Sequence, residues 1–551
     1  MNVSWLRGRT AFLLSTAFVL ICLSSLPYLY AHLSCPADKQ FVGLIGWDVP
    51  GTYMYFMWQK QAQEGHILFE DRLTPEQHEP FYFNLEWLLL GRLARYSGLS
   101  MIAAFQLERC LTIVMACITL YYFVGCFFVD VTQRRAVFLW IVLTSGLGWT
   151  LWLVHKVTGQ SWPIRVWDIE GVNLFGYLIN KPHFVRSLAL VCLSYAFLLK
   201  GEQTHRIVYF VLSGLTIMLQ GFIRPYDLPA AFLILLLFPS ILSMRRRKIQ
   251  WLHLKNYLTA ALTASPIFIY YLFLRRSVLR EVFQAVSFEA FTPLEMILWL
   301  GLPLLIALGG FDGWRNFREW DKPKLFLYIW VTIIGGLIYT YPIVPWGMES
   351  AGLCYIVAPI LAARLLYGQC IPALLRTDVG RNLSRRLKWE ERNWVMAVSL
   401  AAIVLCFPSN MVLYGKLFAT LATHSRPSHI PEHVAQAFSW LAENASPEDV
   451  VLSAPPNGYH LPVDASVTAF SGHGHFTVDY AGKNRLVARF FDVRESDDFR
   501  IELLKKYHVS YVFFSDIERE WGGFEPAGAR YLKPVYNNAG TAIYQFRQEH
   551  N

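Results

Sequence analysis

The residues best suited to chemistry are acids, bases and cations set beside long apolar runs. Asp48 stands in Gly46-Trp47-Asp48-Val49-Pro50, directly after the first such run, with Tyr53 five residues on. An acid held among aromatics at a membrane surface is partly desolvated, which suits a general base or a cation ligand. The competing reading is an Asp that caps a helix starting near Pro50. Glu76-Gln77-His78-Glu79-Pro80 offers three ionisable side chains able to touch a phosphate; a hydrated turn explains them equally well. Trp167-Asp168-Ile169-Glu170 and Lys181-Pro182-His183 follow in one later loop, and Arg224-Pro225-Tyr226-Asp227 forms a tight link between two apolar runs. Arg suits phosphate oxygens by its planar fork and Lys as a point charge. Glu108-Arg109 and Arg224 with Asp227 also read as internal charge compensation between helices.

The elements that must position these groups are membrane spans. Of the 551 residues 54% are apolar or aromatic and only 16% are charged, which excludes a disordered chain and argues against an ordinary soluble enzyme. The apolar runs are continuous rather than alternating, so helices are expected and a β-barrel is not. Eleven spans are expected, at 11–31, 105–128, 136–156, 184–199, 207–223, 228–243, 257–274, 294–311, 325–341, 350–366 and 393–414. The segment 81–97 is short and carries Asn84, Glu86, Arg92 and Arg95. If it does not cross, the connecting segments on the N-terminal side hold 21 Lys plus Arg in 76 residues, and the short loops opposite hold 6 in 58. The positive-inside rule therefore makes 81–97 an interfacial or re-entrant helix and places the N-terminus inside and the C-terminus outside. Arg245-Arg246-Arg247-Lys248 is the strongest single topology signal.

Two large segments then face outward. Residues 32–104 form a first outer loop within a transmembrane domain of 1–414, and 415–551 form a small α/β domain. Its expected helices are at 433–443, 483–491 and 499–507, and its strands at 450–454, 467–471, 509–514 and 541–546. Gly472-His473-Gly474-His475 is expected on a loop; two His at i and i+2 lack the further ligands a metal site requires. Eight of nine cysteines lie in or beside apolar runs and Cys35 has no partner outside, so no disulfide is expected. The net charge of +9 is explained by the cytoplasmic loops and implies no nucleic acid. No phosphate-binding Gly-rich loop, zinc-type spacing or Gly-x-Ser-x-Gly elbow is present. The placement of acids and cations points to an outward-facing reaction on a membrane-delivered substrate.

In its plan the chain resembles the GT-C glycosyltransferases, which include oligosaccharyltransferases, protein O-mannosyltransferases and lipid A aminoarabinose transferases. The resemblance rests on Asp48 with Tyr53, His78-Glu79-Pro80, Ser145-Gly146-Leu147-Gly148-Trp149, Glu170, Pro182-His183 and Pro225-Tyr226-Asp227, most of 1–310. Pro447 to Pro462 and Gly472-His473 extend it into the tail. It implies an inverting transfer from a polyprenyl-phosphate-linked sugar to a lipid or glycan acceptor, in the plasma (inner) membrane. It carries the catalytic acid over to Asp48, with Glu170 or Asp168 as a second acid. Tyr53, His78, Glu79, Arg109, Lys181, His183, Arg224 and Asp227 become substrate-binding candidates. Many members have two adjacent acids in the first loop, whereas Val49 follows Asp48 here, so a divalent cation is left open. The Trp-Trp-Asp signature of oligosaccharyltransferases is absent from the tail. A transporter or flippase of lipid-linked sugars, or a non-catalytic envelope assembly protein, are the alternatives; the first would favour an internal repeat, which the sequence lacks.

Overall fold

The computed structural model describes residues 3–46, 48–160, 174–247, 251–274, 290–340 and 347–547. The chain folds as two compact units. One holds Met1–Ser25, Glu108–Tyr270 and Ser287–Lys416; the other holds Leu26–Leu107, Tyr271–Val286 and Leu417–Asn551.

Among the described residues, seven helices are long and apolar enough to cross a membrane: Gly8–Leu33, Met101–Val124, Pro182–Thr204, Pro225–Arg245, Lys322–Tyr339, Glu349–Arg376 and Glu391–Leu421. Two bent pairs, Val131–Leu143 with Gly148–Thr158 and His253–Ala264 with Pro266–Leu274, raise the number to nine if each is one span. The other two runs read as spans differ in kind. Ile207–Ile223 is an apolar helix of 17 residues. The run at 294–311 divides into Pro293–Leu300 and Leu302–Gly309 at Gly301, whose φ of 65° and ψ of −148° only glycine adopts readily.

The first break has a structural cause. Between Val131–Leu143 and Gly148–Thr158 the backbone leaves the helical ladder, and its polar groups find partners elsewhere. The Leu147 N–H donates to the Leu298 carbonyl at 2.6 Å. The Ser409 hydroxyl donates to the Gly146 carbonyl at 2.7 Å, and the Asn410 amide to the Leu143 carbonyl at 2.7 Å. Any side chain at Gly146 would meet the Leu298 and Trp299 carbonyl oxygens, and Gly301 faces the Gly146 backbone. Ser145-Gly146-Leu147-Gly148-Trp149 is thus a joint where two broken helices meet.

In the second unit, helix Val49–Glu64 packs along helix Leu85–Ser97. Gly91 permits the approach, because a Cβ there would meet Ala62, the Gln59 carbonyl and the Gln63 nitrogen. Asn84 caps Leu85–Ser97 by accepting from the Glu86 and Trp87 N–H groups. At 13 residues, or about 20 Å at 1.5 Å per residue, that helix is shorter than the hydrocarbon core. Trp58 stacks on Tyr82 and Tyr55 on Trp87 beside it, with centroids 4.1 and 5.0 Å apart.

The same unit contains a five-stranded sheet in the order Thr468–Ala469, Val450–Leu452, Val509–Phe514, Ala542–Phe546, Leu532–Asn537. The first three strands are parallel and the last two pair antiparallel. Helix Glu432–Asn444 precedes these strands in the sequence, and Tyr480–Phe491 and Asp497–Lys506 lie between Thr468–Ala469 and Val509–Phe514. Strand Lys39–Phe41 pairs antiparallel with His429–Pro431, Gln40 opposite Ile430, so chain from both sides of the hydrophobic segments shares one core.

Candidate functional site

The polar groups on the loop after helix Val49–Glu64 are tied to the tail. The Ala469 N–H donates to the Arg72 carbonyl at 2.8 Å, and the Thr477 hydroxyl to the Leu73 carbonyl at 2.7 Å. Lys483, buried, reaches Glu76 at 2.5 Å and Thr74 at 2.8 Å. His78 is engaged within the loop: its Nε2 accepts from the Asp71 N–H at 2.9 Å, which leaves Nδ1–H to donate to the Glu76 carbonyl at 2.8 Å. Glu79 is exposed. Asp71 is buried, and burial pushes its carboxyl up to about 8 although Lys483 is near and the Leu73 N–H donates to it at 2.9 Å.

Asp48 is half-buried and occupies the N-cap position of helix Val49–Glu64. Its backbone carbonyl accepts from the Thr52 N–H and hydroxyl, both at 3.1 Å. Its side chain makes no capping hydrogen bond, so the helix-cap role is carried by the main chain alone. The carboxylate lies over Gly51, which has no Cβ to exclude it. There it faces the positive end of the helix dipole.

Tyr53, one turn and a half along the same helix, is buried. Its hydroxyl hydrogen-bonds Asp464, and burial together with that carboxylate raises it well above the usual phenol range. Asp464 also accepts from His460 Nδ1 at 2.7 Å. The His460 ring is buried, with its centroid 4.3 Å from Tyr53 and stacked on Phe438. Burial lowers His460 despite Asp464, so the imidazole is neutral near pH 7. Tyr53, His460 and Asp464 thus form one network, of which the sequence reading identified only Tyr53. Its local signal is the Pro447–Pro462 text two residues before Asp464.

The cationic candidates lie in the other unit. Arg224 is buried and extended between helix Ile207–Ile223 and the turn Pro225–Asp227. Its fork is divided between two acids, Nη1 to Asp227 at 2.8 Å and Nη2 to Glu349 at 2.6 Å. Its guanidinium lies 4.1 Å from the Phe184 ring centroid and 4.9 Å from that of Tyr226. Ser187 donates to Asp227 at 3.1 Å, and Gln220 joins Ser187 to the Arg224 carbonyl. Lys181 Nζ sits 4.9 Å from the same Phe184 ring, whose centroid is 4.7 Å from that of His183. Lys181, His183, Arg224 and Asp227 are therefore neighbours around Phe184, and Glu349 completes the set. Glu349 was missed because it immediately precedes an apolar run with no other charged residue nearby to mark it.

Glu108 and Arg109 do not compensate one another by a direct ion pair. Glu108 bonds Arg186 and Thr112, whereas Arg109 donates to Ser24 and to Ser25, the latter at 2.7 Å. Asp168 and Glu170 lie outside the described residues, and Asp48 and His183 belong to different units. Among the described residues no three His, Cys, Asp or Glu are grouped as metal ligands.

No family model matches the chain, and no curated protein matches it significantly. Solved structures do match. The archaeal oligosaccharyltransferase AglB from Archaeoglobus fulgidus, in complex with an inhibitory peptide and a dolichol-phosphate, aligns over 97% of this chain and 74% of its own at a TM-score of 0.52 and 14% identity. ArnT from Cupriavidus metallidurans in the apo state aligns over 98% of both chains at a TM-score of 0.51 and 14% identity. The same protein bound to undecaprenyl phosphate gives 0.50 at 12% identity. Both are GT-C glycosyltransferases. The chain shares their fold along nearly its whole length, the fold to which its sequence motifs pointed.

Proposed function

We propose that this membrane protein is an inverting glycosyltransferase that moves a sugar from a polyprenyl-phosphate-linked donor to a lipid or glycan acceptor on the outer face of the plasma membrane. The observation that supports this most is the near full-length fold likeness to AglB and ArnT, proteins solved with dolichol-phosphate and undecaprenyl phosphate. In this reading the N-terminus is inside and the tail outside, and the eleven apolar runs include the helices broken at 144–147 and at Gly301. Residues 1–414 and 415–551 are the transmembrane and outer domains.

Asp48 takes a proton from the acceptor hydroxyl, which attacks the anomeric carbon from the face opposite the phosphate. The C–O bond to the lipid phosphate breaks, and cations receive the leaving charge. Lys181, Arg109 and Arg224 are the candidates. Of Arg224's two partners Asp227 is buried and Glu349 half-buried, so a phosphate would displace Glu349 first. Glu170 or Asp168 serves as a second acid, and His78, Glu79, His183 and Asp227 are substrate-binding residues in this proposal. The test is incubation of purified protein in nanodiscs with radiolabelled polyprenyl-phosphate sugars and membrane extracts. Time-dependent appearance of free polyprenyl phosphate and a labelled acceptor is expected; donor that is only moved between leaflets, or left untouched, would reject the reading.

A further inference from the structure

Helix Asp378–Leu387 is a ten-residue connector bracketed by two candidate spans. Glu349–Arg376 ends one residue before Thr377–Asp378, and Glu391–Leu421 begins just past Lys388-Trp389-Glu390. With so little chain on either side, the helix stays at the level where those spans leave the membrane. Both of its ends are fixed. At the start, Gly380 abuts the Leu374 carbonyl so closely that a Cβ would collide with it, and the Thr377 hydroxyl accepts from the Gly380 N–H at 3.0 Å. At the end, Lys388 turns the chain in the left-handed region, and the Trp394 indole donates to Ser384 at 2.9 Å.

Its surface is divided. Val379, Leu383 and Leu387 recur at i, i+4 and i+8 and are all exposed, Val379 at 73%. Arg386 stands beside that stripe, and Arg381, Arg385 and the C-cap Lys388 stand on the opposite face, all exposed. The segment 376–392 holds six Lys plus Arg against three Asp plus Glu. An apolar stripe backed by a cationic polar face, at the level where two spans end, matches the layer where acyl chains meet anionic headgroups. We infer that helix Asp378–Leu387 is a docking surface for anionic phospholipid, laying Val379, Leu383 and Leu387 into the acyl boundary while Arg386 at its edge binds a headgroup phosphate and Arg381, Arg385 and Lys388 on the polar face add attraction to the anionic surface. The positive-inside reading makes this the cytoplasmic leaflet. The inference needs only that the protein spans a membrane, and it is independent of any transfer activity.

The test is hydrogen–deuterium exchange on the full chain in nanodiscs of phosphatidylcholine alone and of phosphatidylcholine with phosphatidylglycerol. Exchange across 378–388 should be several-fold slower with phosphatidylglycerol present, and added salt should reverse the difference. A combined Arg381→Gln, Arg385→Gln, Arg386→Gln and Lys388→Gln variant should exchange equally in both lipids. In native mass spectrometry it should retain at least about tenfold less phosphatidylglycerol than the parent. These side chains are exposed, and the lipid comparison on the unaltered chain stands without the variant. Equal exchange in the two lipids would overturn the inference. So would protection that appears in detergent and rises with protein concentration, since a second copy would then cover the stripe.

Discussion

Replacing Asp71 by Asn should abolish a pH dependence of stability that the native chain carries. Asp71 is 3% exposed, and burial raises its carboxyl from an ordinary value of 3.8 to about 8. The folded chain therefore holds this proton far more tightly than the unfolded chain. The resulting stabilisation is complete below pH 3.8 and is lost as pH rises to about 8. At about 1.36 kcal/mol per pH unit, the loss between about pH 5 and pH 8 is of order 4 kcal/mol. Asn keeps the oxygen that accepts from the Leu73 N–H and cannot ionise. Thermal unfolding of the purified full-length protein in detergent, followed at a series of pH values, should show the parent weakening toward pH 8 and Asp71→Asn weakening much less. The variant should be the more stable of the two above about pH 8. Parallel pH profiles would refute the reasoning, and would mean that the buried carboxylate stays ionised against Lys483.

Arg224→Ala should cost about 3–5 kcal/mol, because it leaves Asp227 buried without its ion pair; the double variant with Asp227→Ala should cost less than the sum of the two, read by a double-mutant cycle. Tyr53→Phe keeps the ring beside His460 and removes the hydroxyl bound to Asp464, so a loss of about 1–3 kcal/mol is expected in thermal unfolding, with no loss if that bond is idle. Gly91→Val pushes helices Val49–Glu64 and Leu85–Ser97 apart and should destabilise by about 1–3 kcal/mol; faster proteolysis of the 65–84 loop would report it, and unchanged cleavage would argue against the close packing.

The fold class was legible because long apolar runs leave few alternatives in a bilayer, and helices Pro182–Thr204 and Leu228–Arg245 lie within a few residues of their sequence bounds. What hydropathy misses is where a helix breaks. Gly146 and Gly301 interrupt apolar text without changing its mean, and only the packing of one break on the other explains them. Strand Leu532–Asn537 escaped notice because its edge position tolerates Lys533 and Pro534. In the candidate site the single residues stood out, but their partners did not. Arg224 with Asp227 was readable as a local pair, whereas Glu349 and Asp464 are distant in sequence and acquire meaning only through Arg224 and Tyr53. Asp48 was weighed against helix capping, and the absence of a side-chain cap bond removes the usual reason for an acid at that position.

The most direct test of the proposed chemistry is the transfer rate of Asp48→Asn. The amide preserves size and shape and removes basicity, and the main-chain bonds to Thr52 are untouched. With purified protein and a labelled polyprenyl-phosphate sugar as donor, release of free polyprenyl phosphate should fall by about a hundredfold or more, while expression and thermal unfolding stay at parental levels. Transfer at the parental rate by Asp48→Asn would contradict the assignment of Asp48 as the base.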